Sequence, residues 1–311
     1  MIVAGVANVV VGLVKLAAGI ISGSSAMLAE AAHSAADTLD QFFLLTSLKQ
    51  ADRPADRAHP FGHGQERYFW SLLAAFGIFI AGAGFSVFEG IPSMRSTAHE
   101  NPLAAYVALG VAAVAEGTSF VRAYLQVRAE AKSSHQELVS HVKTSPDITV
   151  KVALFEDSTA VVGLVFAGLG VGLTQLTGSN VWNGIGSIAI GALLVFVAVR
   201  LGLDSKELLI GRAASAANQR EIREVIESEP GVDELLELRT MHMGPDSLII
   251  AARVALDDEL GADQAEDLAD AVDRKLSARI PLQLNVFIDP TQTRQPPPPG
   301  PSPAPAAAPR T

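Results

Sequence analysis

Six stretches of mostly apolar residues follow one another through the first 204 positions of this 311-residue chain. A helix needs about 20 such residues to cross the roughly 30 Å hydrocarbon core of a bilayer. The second stretch is too polar to be identified from hydropathy alone. The sequence nevertheless predicts an α-helical membrane protein with six transmembrane helices, at 2–21, 26–48, 68–91, 103–124, 149–176 and 182–203.

Composition excludes several classes of protein. The absence of cysteine excludes a disulfide framework, thiolate catalysis and cysteine-based zinc sites. The formal net charge of −10 argues against a nucleic-acid partner, which needs a basic surface. The first residues open directly into an apolar stretch without a basic segment, so no cleavable signal peptide is expected.

Basic residues are concentrated in alternate loops. They lie in segments 49–67 and 122–151, whereas the loops on the opposite side carry almost none. Short basic loops stay in the cytoplasm. We therefore expect a multi-pass protein of the inner (plasma) membrane, with both termini cytoplasmic. The basic residues concerned are Lys49, Arg53, Arg57, Arg67, Arg122, Arg128, Lys132, Lys143 and Lys151.

The composition changes after position 204. Two amphipathic helical patterns and three strand-like runs alternate there in the order αββαβ, which predicts a small ferredoxin-like α+β domain. The predicted elements cover 213–229, 235–241, 247–256, 262–279 and 282–288. The chain is thus expected to comprise a six-helix transmembrane domain at 1–204, a cytoplasmic domain at 205–290 and a disordered Pro/Ala-rich tail at 291–311.

Ionisable residues interrupt the second predicted span. Each costs about 2.5–3.5 kcal/mol at the centre of a membrane helix, so they mark functional positions. Their spacing places Glu30, His33 and Asp37 on one helical face. An imidazole and a carboxylate four residues apart can hold a divalent cation between them. The alternative is a purely structural polar cluster between helices.

Other intramembrane acids are less distinctive. Glu156 and Asp157 lie side by side in the fifth span, and Glu116 lies in the fourth. Glu30, Asp40 and Glu116 are as consistent with a packing or proton-relay role as with metal ligation.

A second cluster lies in the first basic loop. Asp56, His59 and His63 are spaced so that their side chains could converge on a cation at the membrane rim. An ordinary polar turn explains the same residues equally well, because His-Pro and Gly-His-Gly sequences favour turns.

Taken together, these motifs resemble the cation diffusion facilitator family of divalent-metal/proton antiporters. The resemblance rests on segments 23–37 (GSSAMLAEAAHSAAD) and 52–64 (DRPADRAHPFGHG) and on the layout of six spans followed by αββαβ. Segments 154–157 (LFED) and 239–246 (RTMHMGPD) resemble the zinc-transporter-9-like branch.

The resemblance implies a transport site formed by His33, Asp37 and Asp157. The usual fourth ligand, His or Asp, is replaced by Ala153, so Glu156, a backbone carbonyl or water would complete the shell. Fewer nitrogen ligands would favour harder ions such as Mn(II) or Fe(II). The resemblance also implies a loop metal site at Asp56, His59 and His63.

The expected function is transport of a divalent metal cation, zinc with manganese, iron or cobalt as alternatives, out of the cytoplasm in exchange for protons. The metal is cargo, and no cofactor is expected. The expected partners are the lipid bilayer, a second copy of the chain, metal ions and protons.

The alternative is a non-transporting membrane metal sensor that signals through its soluble domain. An intramembrane hydrolase is disfavoured, because the chain has no HExxH motif and no serine–base pairing, so no enzymatic activity is expected.

Overall fold

The structure is a computed structural model that describes residues 2–96, 101–133, 148–257 and 259–291. The chain divides into two compact units, Met1–Ile210 and Gly211–Thr311. The Pro/Ala-rich tail expected at 291–311 lies, apart from Thr291, outside the described residues.

The described residues of the first unit form helices joined by loops, as predicted. Four of its stretches are long and apolar enough to cross a membrane, judged by length and composition. The helix that carries His33 and Asp37 is not among them, as expected from its polarity. The helices are α1 (Ile2–Ser22), α2 (Ser25–Ala51), α3 (Glu66–Gly77), α4 (Phe85–Ser93), α5 (Pro102–Ser133), α6 (Ile148–Thr177) and α7 (Val181–Ile210).

The third span is not a uniform α-helix. A π-helical segment, Ile78–Gly84, separates α3 from α4. Hydropathy gives no sign of this change, because a π-turn alters the backbone pitch and not the apolar character of the segment. Hydroxyl groups hold this region to its neighbours: Ser86 Oγ donates to the carbonyl of Gly82 at 2.7 Å, and Ser187 Oγ of α7 donates to the carbonyl of Ser86 at 2.7 Å.

The start of α2 is fixed by polar contacts. Gly23 has φ +72°, a left-handed conformation that suits glycine, and it ends α1 where the sequence predicted a break. Ser24 then caps α2 by accepting a hydrogen bond from the backbone N–H of Met27. Asn183 Oδ1 of α7 accepts from Ser24 Oγ at 2.9 Å and from the backbone N–H of Ala26 at 3.1 Å. These bonds set the axial position of the helix that carries the candidate ligands.

Small residues allow the helices to approach closely. A Cβ atom added to Gly184 of α7 would lie 2.6 Å from the carbonyl oxygen of Gly90 in α4. The buried core of this unit is dominated by alanine. Its central cluster contains Ala26, Ala29, Ala36, Ile78, Ala83, Ala167, Ile190, Leu194 and Ala198. In a bilayer such close packing substitutes for the hydrophobic effect.

The second unit has the predicted αββαβ order. It contains α8 (Ala216–Glu227), β1 (Val232–Gly244), β2 (Ser247–Leu256), α9 (Ala262–Arg279) and β3 (Gln283–Thr291). The sheet order is β1-β2-β3, with β1 antiparallel and β3 parallel to β2.

One face of the sheet is covered by the two helices. Alternate residues of β2 point into the core, beginning with Leu248 and Ile250, and they contact Ile222 and Ile226 of α8 and Leu276 of α9 within one cluster. This alternation is what the sequence pattern predicted for a half-buried strand.

Candidate metal centre

His33 and Asp37 face each other across one turn of α2. His33 Nε2 lies 3.3 Å from Asp37 Oδ2. The imidazole is almost completely buried, and 19% of the Asp37 side chain is exposed. The helix places the two side chains together because residues four apart lie on the same face. The pair offers one nitrogen and two oxygen ligands to a divalent cation.

Asp157 of α6 is hydrogen-bonded to α5. Both of its carboxylate oxygens accept a hydrogen bond from Ser119 Oγ of α5, each at 3.1 Å. Within the described ranges, the only group of three or more His, Asp or Glu residues whose ligand atoms all lie within 4.8 Å is in the first basic loop. His33, Asp37 and Asp157 are therefore not converged on one point in this conformation.

Glu156 points differently from Asp157, as adjacent helical residues must. Its Oε1 is buried and lacks a hydrogen-bond partner among the described residues. The carboxyl group of Asp40 in α2 is its neighbour. Glu156 thus faces α2, whereas Asp157 faces α5.

A buried ion cluster joins three helices close to this pair. Lys15 of α1 donates from Nζ to Glu30 Oε2 of α2 at 2.8 Å and also pairs with Glu116 Oε1 of α5. The side chains of Lys15 and Glu30 are completely buried, and Glu116 is 14% exposed. The sequence analysis left Glu30 and Glu116 open between packing, proton relay and ligation, and it assigned no partner to Lys15, which interrupts the first span. A lysine within an apolar span indicates that nearby intramembrane acids are paired with a positive charge of the protein itself.

The loop cluster is converged. Asp56, His59 and His63 each offer a ligand atom within 4.8 Å of the others. His59 Nδ1 lies 3.4 Å from Asp56 Oδ1, and His63 Nε2 lies 3.6 Å from Asp56 Oδ2. The two imidazole rings are 4.4 Å apart between centroids. The turn that brings them together includes Gly62, whose φ of +84° favours glycine.

The electrostatics of the loop suit a cation. The backbone N–H of His59 and then that of Ala58 donate to the carboxylate of Asp56, and they lower the pKa of Asp56 below its ordinary value. Asp56 is therefore ionised over the whole neutral range. Both ring nitrogens of His63 are buried without a hydrogen-bond partner among the described residues. A buried imidazole in that state is a natural metal ligand.

His242 in β1 is not in such a cluster. Burial is the largest effect on it and lowers its pKa, while the backbone of Gly244 acts in the opposite direction. Its backbone N–H donates to the carbonyl of Arg212 at 2.9 Å. No group of metal-binding side chains surrounds it in the described part of the chain.

The fold and these sites define a polytopic helical membrane protein that carries potential cation ligands inside its spans and at their rim. The family description "Cation efflux transmembrane domain" matches residues 1–210, and "Cation efflux protein, cytoplasmic domain" matches residues 214–290. The chain belongs to the cation efflux family, as its motifs indicated. This is a family of transporters and not of enzymes.

Three relatives illustrate the breadth of the similarity. The proton-coupled zinc antiporter SLC30A9, mitochondrial, of Xenopus laevis is 35% identical over 244 residues, which are 78% of this chain and 44% of that protein. The metal tolerance protein C4 of Arabidopsis thaliana is 31% identical over 234 residues, 75% of this chain and 51% of that protein. The cation-efflux pump FieF of Salmonella paratyphi A is 25% identical over 270 residues, 86% of this chain and 84% of that protein. The chain thus spans about half the length of the first two relatives.

Solved structures of MamM CTD variants match about a quarter of this chain. A variant of the MamM CTD in its cadmium form is 23% identical and covers 25% of this chain and 98% of its own. The TM-score is 0.24, a value from which no structural conclusion follows.

Proposed function

We propose that this protein exports divalent metal cations from the cytoplasm in exchange for protons, with His33, Asp37 and Asp157 as the transport ligands. The observation that carries the proposal is the pairing of buried His33 with half-buried Asp37, 3.3 Å apart inside a membrane domain of the cation efflux family. Named relatives include a proton-coupled zinc antiporter and a cation-efflux pump, which agrees with this chemistry.

Proton coupling follows from the chemistry of the ligands. A neutral imidazole and ionised carboxylates bind a divalent cation, and the same groups release it when they are protonated. If the site opens alternately to the two sides, protons that enter from outside displace the metal there and are carried inward. Metal export and proton entry are then two halves of one cycle.

The third ligand must move to complete the site. Asp157 is held by Ser119 of α5, and its carboxylate is not converged with His33 and Asp37. We propose that Asp157 leaves Ser119 when a cation binds at α2. The hydrogen bond to one exposed hydroxyl is a modest restraint, worth about 1 kcal/mol.

The choice of metal is a separate proposal. Ala153 stands where better-known members carry a nitrogen or carboxylate ligand, so the set of His33, Asp37 and Asp157 is poor in nitrogen. We propose zinc as the main cargo because a relative is named as a zinc antiporter, and we expect the nitrogen-poor ligand set to accept manganese, iron or cobalt as well. Ala153→His should shift selectivity toward zinc in a transport assay with a panel of metals.

Glu156→Ala should alter affinity more than it alters maximal rate, because Glu156 faces Asp40.

We also propose that Asp56, His59 and His63 bind a cation at the membrane rim. This proposal rests on the convergence of their ligand atoms within 4.8 Å and on the buried ring nitrogens of His63, which have no hydrogen-bond partner among the described residues.

The same proposal includes the division into domains, the orientation in the membrane and the assembly. The proposed domains are 1–204, 205–290 and 291–311. The basic loops favour a cytoplasmic location for both termini in a cell membrane. Cysteine labelling in this cysteine-free chain should modify positions 60 and 250 from the same face.

The second unit, which matches the family's ZT_dimer domain, should pair with that of a second copy. Light scattering of the detergent-solubilised protein should give the mass of a homodimer.

Everted membrane vesicles loaded with a metal-sensitive dye test the function. An imposed proton gradient should drive metal into vesicles that contain the protein and not into control vesicles. Metal binding without gradient-driven uptake would contradict transport and favour a sensor.

A further inference from the structure

We propose that Glu30 is a positioning residue, which accepts the Nδ1–H of His33 when a metal ion binds at His33 Nε2. The inference rests on the proposed function, since it assigns His33 as a ligand. It assigns the buried ion cluster of Lys15, Glu30 and Glu116 a role in metal binding that the spacing of the ligands does not indicate.

The two nitrogens of His33 have different surroundings. Nε2 faces Asp37 at 3.3 Å, on the side assigned to the cation. Nδ1 is buried and has no hydrogen-bond partner among the described residues. When Nε2 coordinates a metal, Nδ1 must carry the proton of the neutral imidazole. A buried N–H without an acceptor is unfavourable, so metal binding creates a demand for an acceptor beside Nδ1.

Glu30 supplies an acceptor at the same place. It precedes His33 by three residues on α2, so the two side chains share a face. Glu30 Oε1 is buried and also lacks a partner within the described ranges. Both atoms lie against Gly163 of α6: a Cβ atom there would be 2.3 Å from Glu30 Oε1 and 3.8 Å from His33 Nδ1. The unpartnered oxygen and the unpartnered nitrogen therefore border one small space.

Lys15 holds the carboxylate in position. Its ammonium bonds the other oxygen, Glu30 Oε2, at 2.8 Å and leaves Oε1 available toward α6. Glu116 is the second partner of Lys15 and completes the cluster. Metal-ligating histidines commonly donate their second N–H to a carboxylate, which fixes the ring orientation and strengthens the ligand. Lys15, Glu30 and His33 form such a chain leading to the metal.

The test compares two substitutions that change the charge of the cluster identically. Glu30→Gln and Glu116→Gln each remove one negative charge, but only Glu30 borders His33 Nδ1 and Gly163. Zn²⁺ binding is titrated on the full chain in detergent, in a His59→Ala/His63→Ala background that removes the loop ligands. Glu30→Gln should weaken binding by about 10- to 100-fold, and Glu116→Gln by less than about threefold.

A spectroscopic readout separates positioning from general electrostatics. In ¹⁵N-histidine NMR spectra of the Zn²⁺-bound protein, Glu30→Gln should shift the Nδ1–H resonance of His33, and Glu116→Gln should leave it in place. Equal effects of the two substitutions on affinity and on this resonance would overturn the proposal.

A glycine pair provides a second test that keeps every charge. Gly163→Ala would crowd Glu30 Oε1 and should weaken Zn²⁺ binding by about tenfold or more. Gly168→Ala on the same helix meets no described atom within 4 Å and should bind as the parent does. If Glu30→Gln does not fold, unchanged binding by Gly163→Ala overturns the proposal. Because binding is measured without transport, a wild-type chain that binds Zn²⁺ but moves none would refute the proposed function alone.

Discussion

Lys15 Nζ donates a 2.8 Å hydrogen bond to Glu30 Oε2, and both side chains are completely buried. With Glu116, this pair ties α1, α2 and α5 together by charge inside the helical unit. Elsewhere these helices meet through small residues, as at Gly19 of α1 beside Leu28 of α2. The ion cluster is therefore a buried polar restraint on the position of α2 relative to α1 and α5.

Removal of Lys15 should destabilise the protein. Lys15→Met leaves two buried carboxylates without a counter-charge, which costs about 3–5 kcal/mol when a buried ion pair is broken on one side. The midpoint of thermal unfolding in one detergent should fall clearly. Adding Glu30→Gln and Glu116→Gln to Lys15→Met should recover much of the loss, because no charge is then left in this cluster. An unchanged midpoint in Lys15→Met would contradict the role of the cluster.

The transport ligands should be individually essential. His33→Ala, Asp37→Ala or Asp157→Ala leaves a divalent cation with two of three ligands, so metal uptake in everted vesicles should fall to the background of empty vesicles. His242→Ala in the second unit should transport near the wild-type rate, because no cluster of metal-binding side chains surrounds it in the described residues. Full transport by Asp157→Ala would remove α6 from the site.

The sequence predicted the fold in detail where periodicity was strong. The helix at 262–279 and the strand at 247–256 agree with the observed α9 and β2. In the first unit, the break at Gly23 was predicted because glycine and two serines interrupt an apolar run. The π-helical segment Ile78–Gly84 was not, since its residues are as apolar as those of an ordinary span.

In the candidate sites too, contacts within one helix or loop were predicted, whereas contacts between distant helices were not. Local spacing correctly placed His33 next to Asp37 and brought Asp56, His59 and His63 together. The pairing of Lys15 with Glu116 joins residues 101 positions apart in the chain, which no local pattern encodes. The bond between Ser119 and Asp157 is likewise a contact between two helices that only the folded chain reveals.

Binding at the loop cluster should weaken as the pH falls. The backbone N–H groups of His59 and Ala58 lower the pKa of Asp56, so this carboxylate stays ionised while the solution is acidified. Loss of metal should then follow from competition between protons and the metal for the imidazole nitrogens of His59 and His63.

The loop measurement uses a metal titration in an Asp37→Ala/Asp157→Ala background, so that the transport site does not contribute. His63→Ala should abolish binding, and Asp52→Asn, an acid in the same loop outside the cluster, should not. A metal affinity that does not fall as the pH is lowered would show that the imidazoles are not ligands.

Close contact between α4 and α7 should be intolerant of added volume. In Gly184→Ala the new Cβ would lie 2.6 Å from the carbonyl oxygen of Gly90 and 3.1 Å from the backbone nitrogen of Met94. Backbone atoms cannot rotate away, so the helices must separate at a cost of about 1–3 kcal/mol. The midpoint of thermal unfolding should fall.

Gly110→Ala on α5 meets no described atom within 4 Å and should leave the midpoint unchanged or slightly higher. Equal midpoints for both variants would contradict the packing described.

Coupling of metal flux to proton flux through His33 and Asp37 is tested most directly in proteoliposomes that enclose a pH-sensitive dye. A zinc gradient imposed across the wild-type protein should drive protons in the opposite direction, and His33→Ala or Asp37→Ala should abolish that proton movement. Zinc flux without proton movement in the wild-type protein, or coupled flux that persists in either variant, would contradict the account.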